Sequence, residues 1–517
     1  ANDDDAVDDD DAVDDDDDSA DDDDTTDDDD AADDDDSADA CADVDCDDAD
    51  ACTDDTCDPA TGGCSHATFT GAPADAFDLD RLRDPSTLNL QILSTTTAVE
   101  TVDFLPVNVQ VQAIRFDSYE YEGCEELVVQ LEAWVAMPAS AVGDSAAHPA
   151  LVVAHGLGGS ASAGAASTPA AQIQAVTLAY SGPGQGGSEG TGSTPDHVFD
   201  TARDPRNSWF WGHAAAAMRA ATVLESLPEV DPARLGMTGY SAGAVATLMA
   251  GGLDDRLIAT APVSGTGHLQ LAIDATPQPG WQADLLAAMS PPRTRSSVEW
   301  VNYERWLDPR HFLGSTAGDV LLVNGAQDEF FPITSTVATL SDLQATGGDH
   351  RLLTLLNWDH GWFALFNGEA AALDAANAVN GWLSGRLGTE PDLAPVPPQP
   401  TIDALDEWIC PLPCTRIQAT VPDVPGYAVA SVTFAFGVDG LSYATWNLQD
   451  EGQEQWGAYV GTLDPSLRAD VVSWIEVEYG VDFLGLAVAP FFKNTSVPTF
   501  PAGFSPLILP TDGPIPP

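Results

Sequence analysis

Ser241 stands between Gly239 and Gly243 in the stretch RLGMTGYSAGAVATLMA, which runs from Arg234 to Ala250. ARLGMTG reads as a strand and AGAVATLMAGG as the helix after it. A serine on so tight a strand-to-helix turn takes a strained backbone, so its neighbours two residues away must be small. The helix start aims backbone N–H groups at the reacting oxygen. The same five residues also arise by chance, with the serine as a plain helix N-cap. An acid and a histidine in the right order, each just past a strand, separate the two readings. Asp328 follows DVLLVNG, and His360 follows RLLTLLNW. In that arrangement Ser241 attacks an ester or amide carbonyl. His360 takes its proton and returns it to the leaving group, and Asp328 holds the imidazole tautomer. Glu329 and Asp359 are rival acids. Asp359 adjoins His360, and sequence neighbours rarely face each other well enough for that bond.

HGLGGS, from His155 to Ser160, ends the strand ALVVAHG and supplies a second set of backbone donors. The oxyanion donors are expected from Ala242 and from Leu157 or Gly156. Each is worth roughly 3–4 kcal/mol in the transition state. His155 is expected to anchor its loop rather than act as a base. His213 and Trp209–Trp211 are expected to pack. Nothing in the pattern calls for a cofactor or a metal.

These residues need a scaffold. VQVQAIRFDSYEY and ELVVQLEAWVAMP read as a strand pair, and ALVVAHG and IQAVTLAY as short buried strands. WGHAAAAMRAATVLESL has helical periodicity, and RLIATAPVSG, DVLLVNGAQD and RLLTLLNWDHG repeat the strand-then-loop theme. The alternation predicts an α/β fold: a mostly parallel sheet with helices on both faces. The catalytic domain is expected over residues 76–387. The alternation stops over about 265–318, an insertion with two helix-like stretches that would cap the carboxyl edge of the sheet. Its Trp281, Trp300 and Trp306 would form an apolar or sugar-stacking rim, or the insertion's own core. A proline-rich linker (388–406) leads to a small all-β, sandwich-like domain (407–517).

With those residues placed, the stretch from about Val109 to Leu387 resembles an α/β-hydrolase. VDPARLGMTGYSAGA is similar to the VDxxRIGxxGxSxGG of esterases and prolyl-oligopeptidase-like enzymes. SGPGQGGS, after Tyr180, resembles the D-x-x-G-x-G-x-S loop of many hydrolases, which is structural. The stretch around DEFF, and SYATWNLQDEGQEQW in the tail, are similar to the PhoPQ-activated pathogenicity-related family, whose elbow is not the usual G-x-S-x-G. The broad resemblance implies a serine ester hydrolase. A propeller-bearing oligopeptidase is excluded on length. Dehalogenases and epoxide hydrolases are disfavoured because they carry Asp where Ser241 stands.

The 517 residues carry a net charge of −67, of which 33 Asp within residues 1–60 supply −33 and the rest of the chain −34. Binding phosphates needs a positive surface, so nucleic acid is not expected as a partner, nor is an anionic membrane surface. Lys493 is the only lysine among 17 cations, which suits salty surroundings or a biased genome composition equally. No apolar stretch is long enough to span a membrane. There is no basic-then-apolar leader, so a leader is expected to have been removed or to lie outside this sequence. Residues 1–40, nearly all Asp, Ala, Ser and Thr, are expected to be a disordered spacer, with calcium collection as the sharper alternative.

Cys41, Cys46, Cys52, Cys57 and Cys64 crowd into residues 41–66 and read as a disulfide module in an oxidising compartment. Their spacings lack the CxxC pairs of a zinc site. CTDDTCDPATGGC is similar to modules of secreted myxobacterial proteins. Five is odd, so one thiol pairs elsewhere or stays free. If Cys410 and Cys414 bridge each other, Cys124 is left as its partner. The expected protein is a secreted or cell-surface serine hydrolase acting on a small-molecule or polymeric ester. A peptidase on the same three residues is one alternative. An inactive surface-attachment protein, tethered by the spacer, is another.

Overall fold

Short buried strands explain the heart of the protein. A computed structural model describes residues 41–500 apart from 42–43, 48–49, 51, 59, 68, 70, 103, 146–147, 275–280, 357, 361–368, 389–397, 410–412, 438–441, 462–471 and 484–485. The Asp-rich spacer, residues 389–397 of the proline-rich linker and Cys410 lie outside the described residues. The central sheet is built from β3 (Gln91–Val102), β4 (Leu105–Glu122), β5 (Glu125–Pro138), β6 (His148–Ala154), β7 (Val176–Tyr180), β8 (Val230–Tyr240), β9 (Leu257–Val263), β10 (Asp319–Gly325) and β11 (His350–Leu355). Their order is β11-β10-β9-β8-β6-β7-β5-β4-β3. β6 to β11 run parallel, and β5, β4 and β3 add antiparallel at one edge. This is the mostly parallel α/β sheet that the alternation predicts. All five residues of β7 are buried, as a strand covered on both faces requires. β3 is largely exposed, shows no apolar alternation, and is seen only in the structure.

The two faces can be read along β6. Ala150, Val152 and Ala154 join one core with residues of helices Trp209–Ser226 and Ala242–Leu253. Leu151 joins another with Ile173, Trp382 and Leu383, from helices Ala163–Ile173 and Glu369–Leu387. All residues of Ala242–Leu253 are buried, so its small side chains suit a helix enclosed on every side. Among its described residues the insertion holds four short helices, Leu269–Ile273, Trp281–Ala288, Val298–Trp306 and Arg310–Leu313.

Beyond Pro400 the described residues form two four-stranded sheets, β12 (Thr401–Ile409), β13 (Pro413–Thr420), β17 (Gln455–Gly461) and β16 (Gln449–Gly452) in one, and β15 (Ala444–Asn447), β14 (Tyr427–Gly437), β18 (Val472–Phe483) and β19 (Leu486–Thr495) in the other. They share a core of Ile417, Ala419 and Ala458 with Val432, Phe434, Ile475 and Val477. β12 corrects the composition-based boundary at 407. It starts at Thr401, because nothing after Pro400 breaks the strand.

The chain divides into two units. One comprises the residues up to Asp47 with Asp55–Ser65, and the other Asp48–Asp54 with His66 onward. β1 (Asp54–Cys57) pairs with β2 (Cys64–Ala67), and within the small unit disulfides join Cys41 to Cys57 and Cys46 to Cys64. Asp58 shapes the turn between the strands: its carboxylate accepts from Ala60 N–H at 2.9 Å and from the Thr61 hydroxyl at 2.6 Å. The fifth cysteine of the cluster, Cys52, belongs to the large unit and pairs with Cys124 in the β4–β5 turn. Among the described residues no helix is long and apolar enough to cross a membrane.

Candidate active site

β8 ends at Tyr240 and turns directly into helix Ala242–Leu253, leaving Ser241 at φ 57°, ψ −117°. A serine rarely adopts this conformation, and the surroundings impose it. The Ser241 N–H donates to Val263 O on β9 at 3.0 Å. A Cβ added at Gly239 would lie 2.3 Å from Gly243 O, and one at Gly243 2.3 Å from Ala154 O. Both glycines are therefore demanded by backbone contact, as the motif requires.

Ser241 Oγ lies 2.9 Å from His360 Nε2, and His360 Nδ1 lies 3.1 Å from both carboxylate oxygens of Asp328. Asp328 can only accept there, so the proton sits on Nδ1 and the Nε2 lone pair faces the serine hydroxyl. Asp328 Oδ1 also accepts from the N–H groups of Phe330 (2.9 Å) and Phe331 (2.8 Å), which fixes the carboxylate. The acid loop is tied to the histidine loop by Ala326 N–H to Leu355 O (2.9 Å) and Gln327 N–H to Trp358 O (3.2 Å). Asn324, at the end of β10, donates to Phe331 O at 2.7 Å.

Of the rival acids, Glu329 holds the histidine without joining the relay. Its carboxylate accepts from the His360 backbone N–H at 3.0 Å. Burial pushes its pKa above the usual carboxylate range, and the adjacent Asp328 charge adds to the shift. Of the three carboxylates, Asp328 is the one seen on Nδ1. Three aromatic rings not singled out in the sequence enclose His360. Phe330 lies 4.4 Å away between ring centroids, Phe331 5.2 Å, and Tyr240 stacks at 5.4 Å. The Tyr240 hydroxyl donates to His360 O, and burial raises its pKa, so it stays a donor. Phe330 and Phe331 were visible as the two aromatics that follow Glu329 in DEFF; Tyr240 was hidden inside the elbow.

Gly156 lies against the serine, since a Cβ added to it would fall 3.3 Å from Ser241 Cβ. Ala242 opens the helix after Ser241 and is buried, while Leu157 packs on the core of the same sheet face. His155 anchors this loop. Its Nδ1 meets Gly156 O at 2.7 Å, and its Nε2 accepts from Gly182 N–H at 2.8 Å. That pair of partners requires the neutral ring, and burial lowers its pKa in the same sense. His213 is fully buried, stacks on Trp209 at 4.5 Å, and meets His155 O through Nε2 at 3.3 Å. Trp211 stacks on Phe77 at 5.5 Å. These three pack behind the loop.

The three tryptophans of the insertion are all buried. Trp300 stacks on Tyr303 at 5.7 Å, Trp306 meets Phe69 edge-on at 5.1 Å, and Trp281 meets Phe331 edge-on at 5.9 Å. They form the insertion's core, so the rim alternative is set aside. Through Phe331, that core reaches His360.

A serine on a strained strand-to-helix turn of a mostly parallel sheet, with an acid and a histidine after later strands, defines an α/β-hydrolase. The chain belongs to the acetyl xylan esterase family, whose model matches residues 68–341. It is therefore a serine carboxylic ester hydrolase. The matched residues include Ser241 and Asp328 and stop short of β11. Among solved structures the chain is similar to an acetyl xylan esterase from Paenibacillus sp. R4, with 18% identity over 56% of this chain and 90% of that one and a TM-score of 0.44. It is similar to acetyl xylan esterase 1 from Thermoanaerobacterium sp. JW/SL YS485, with 18% identity over 59% and 92% and a TM-score of 0.42. A Mycobacterium tuberculosis puromycin-hydrolysing peptidase is similar at 18% identity over 65% and 44%, with a TM-score of 0.40. No curated protein sequence matches the chain.

Proposed function

We propose that this protein is a secreted esterase that removes acetyl groups from an acetylated polysaccharide of the xylan type, through an acyl-enzyme on Ser241. The observation that carries the reading is the continuous relay Ser241 Oγ–His360 Nε2 and His360 Nδ1–Asp328. Ser241 Oγ attacks the acetyl carbonyl while His360 takes its proton, and Asp328 stabilises the imidazolium. The oxyanion meets backbone N–H groups of Ala242 and of Gly156 or Leu157. Collapse expels the sugar alcohol, protonated by His360. Water, activated by the same imidazole, then releases acetate. The acetyl xylan preference comes from the family, and secretion from the disulfides, which persist in oxidising compartments.

A fluorophosphonate probe and acetate release from acetylated xylan test the reading together. The wild type should label and release acetate. Ser241→Ala should fail to label and lose about 10⁵–10⁶ in kcat. Equal labelling of the alanine variant overturns the nucleophile. A clear preference for aminoacyl-p-nitroanilides over acetyl esters makes the enzyme a peptidase.

A further inference from the structure

Of the two sheets beyond Pro400, the one that holds β14, β18 and β19 meets the enzyme core at the acid and histidine loops. Ala326 and Ile333 bracket Asp328, and Leu356 precedes His360 by four residues. These three residues share one apolar cluster with Ala435, Val472, Trp474 and Tyr443 of the C-terminal sheets. Trp474 is fully buried there and meets the Tyr443 ring edge-on at 4.8 Å. The Tyr443 hydroxyl reaches Ala326 O at 3.5 Å.

The second contact lies on β11, the edge strand that leads to His360. Thr354 N–H donates to Thr495 Oγ1 at 2.9 Å, and that hydroxyl meets Leu352 O at 3.1 Å. The Gln399 side-chain amide bridges Leu352 O (2.9 Å) and Thr495 O (3.0 Å). Side chains of the C-terminal region thus occupy edge groups of β11 that another strand would otherwise take.

We propose that the C-terminal sheet of β14, β18 and β19 is a positioning element of the catalytic site, with Trp474 setting the Asp328 loop and Thr495 setting the strand that delivers His360. The proposal rests on the triad reading above. Nearer the site, hydrogen bonds from Phe330 and Phe331 fix the carboxylate within its loop, and Ala326 N–H to Leu355 O and the Asn324 amide to Phe331 O tie that loop to the sheet from within. The Trp474 cluster does so from outside. A loop that drifts by about 1 Å pulls the carboxylate from Nδ1 and costs about 10²-fold in rate. Substrate affinity is left nearly untouched, because neither residue lies at the serine.

The test measures kcat, KM and melting temperature for Trp474→Leu and Thr495→Val in the full chain, each made in the wild type and in Asp328→Asn. Trp474→Leu should lower kcat by about 10- to 100-fold with KM within about twofold. In the Asp328→Asn background, already about 10⁴-fold slower, it should cost less than about twofold, because the group it positions is gone. A lowered melting temperature with unchanged kcat per folded enzyme overturns the proposal, as does an equal loss of kcat in both backgrounds. If Trp474→Leu fails to fold, Tyr443→Phe carries the same comparison, with smaller losses expected in the same pattern, and Thr495→Val, which acts on the His360 strand, should lower kcat with KM unchanged. Residual activity in Ser241→Ala would instead refute the triad itself, whatever the Trp474 variants show.

Discussion

The elbow that holds Ser241 and the loops that hold Asp328 and His360 reach similar precision by different means. At the elbow the constraint is local. Two glycines four residues apart admit backbone oxygens at distances no Cβ tolerates, and one hydrogen bond to Val263 O completes the turn. Around the acid and the histidine the constraint is distributed. Backbone hydrogen bonds join the two loops, three aromatic rings enclose the imidazole, Glu329 holds the His360 N–H, and the C-terminal sheet of β14, β18 and β19 packs from outside. A locally built site should fail abruptly on one substitution. A distributed one should degrade in steps.

Gly243→Ala is the sharpest way to break this contrast. The new Cβ would meet Ala154 O at 2.3 Å and His155 O at 2.7 Å, both backbone atoms at the ends of buried elements. They cannot move without shifting β6 or the helix. The variant should lose about 3 kcal/mol or more of stability and at least about 10²-fold in kcat. Chemical denaturation and turnover of p-nitrophenyl acetate measure the two effects. Near-normal values for both would mean the elbow is as forgiving as the acid side.

This contrast also explains what could be read from the sequence. The elbow was legible because its steric rule acts within five residues. Asp328 and His360 were legible because each follows a short apolar strand in the order the chemistry needs. The supports of the acid side were not. Thr354 and Thr495 are 141 positions apart, and no local pattern announces such a pair. Trp281, Trp300 and Trp306 were ambiguous because a tryptophan in a polar insertion looks the same on a rim as in a core. β3 was missed because an exposed edge strand lacks the alternation that marks burial.

Glu329 gives the intermediate case. Glu329→Ala leaves the buried His360 N–H without its acceptor, a loss of about 1.5–3 kcal/mol for a hydrogen bond to a charged group. It should reduce kcat by roughly 10- to 100-fold. Glu329→Gln keeps an acceptor oxygen in the same place and should stay within about threefold of wild type. Equal losses in both variants would show that the charge, not the hydrogen bond, is what Glu329 supplies, and would reopen its claim to be the acid.

The smallest effect on catalysis is expected at the other end of the sheet. Cys52–Cys124 closes a sequence separation of 72 and fastens Asp48–Asp54 to the β4–β5 turn. In the strand order, β6 and β7 separate β5 from β8, and β10 and β11 lie farther away on the opposite side. The disulfides Cys41–Cys57 and Cys46–Cys64 close within the small unit. A chain beginning at Phe69, with Cys124→Ser to remove the orphaned thiol, should therefore keep kcat/KM within about twofold. The full chain carrying Cys52→Ser and Cys124→Ser should keep it as well, while losing about 2–4 kcal/mol of stability as the unfolded chain regains its freedom. The 33 aspartates of residues 1–60 and a remainder at −34 carry the same sign, so removing the first of them takes away repulsion rather than attraction. Parallel kinetics and denaturation on the two proteins separate the effects. If the shortened enzyme folds but loses more than tenfold in kcat/KM, about 1.4 kcal/mol of transition-state stabilisation, then support from outside the sheet reaches the elbow side too. The contrast between a self-sufficient elbow and a buttressed acid loop would then fail.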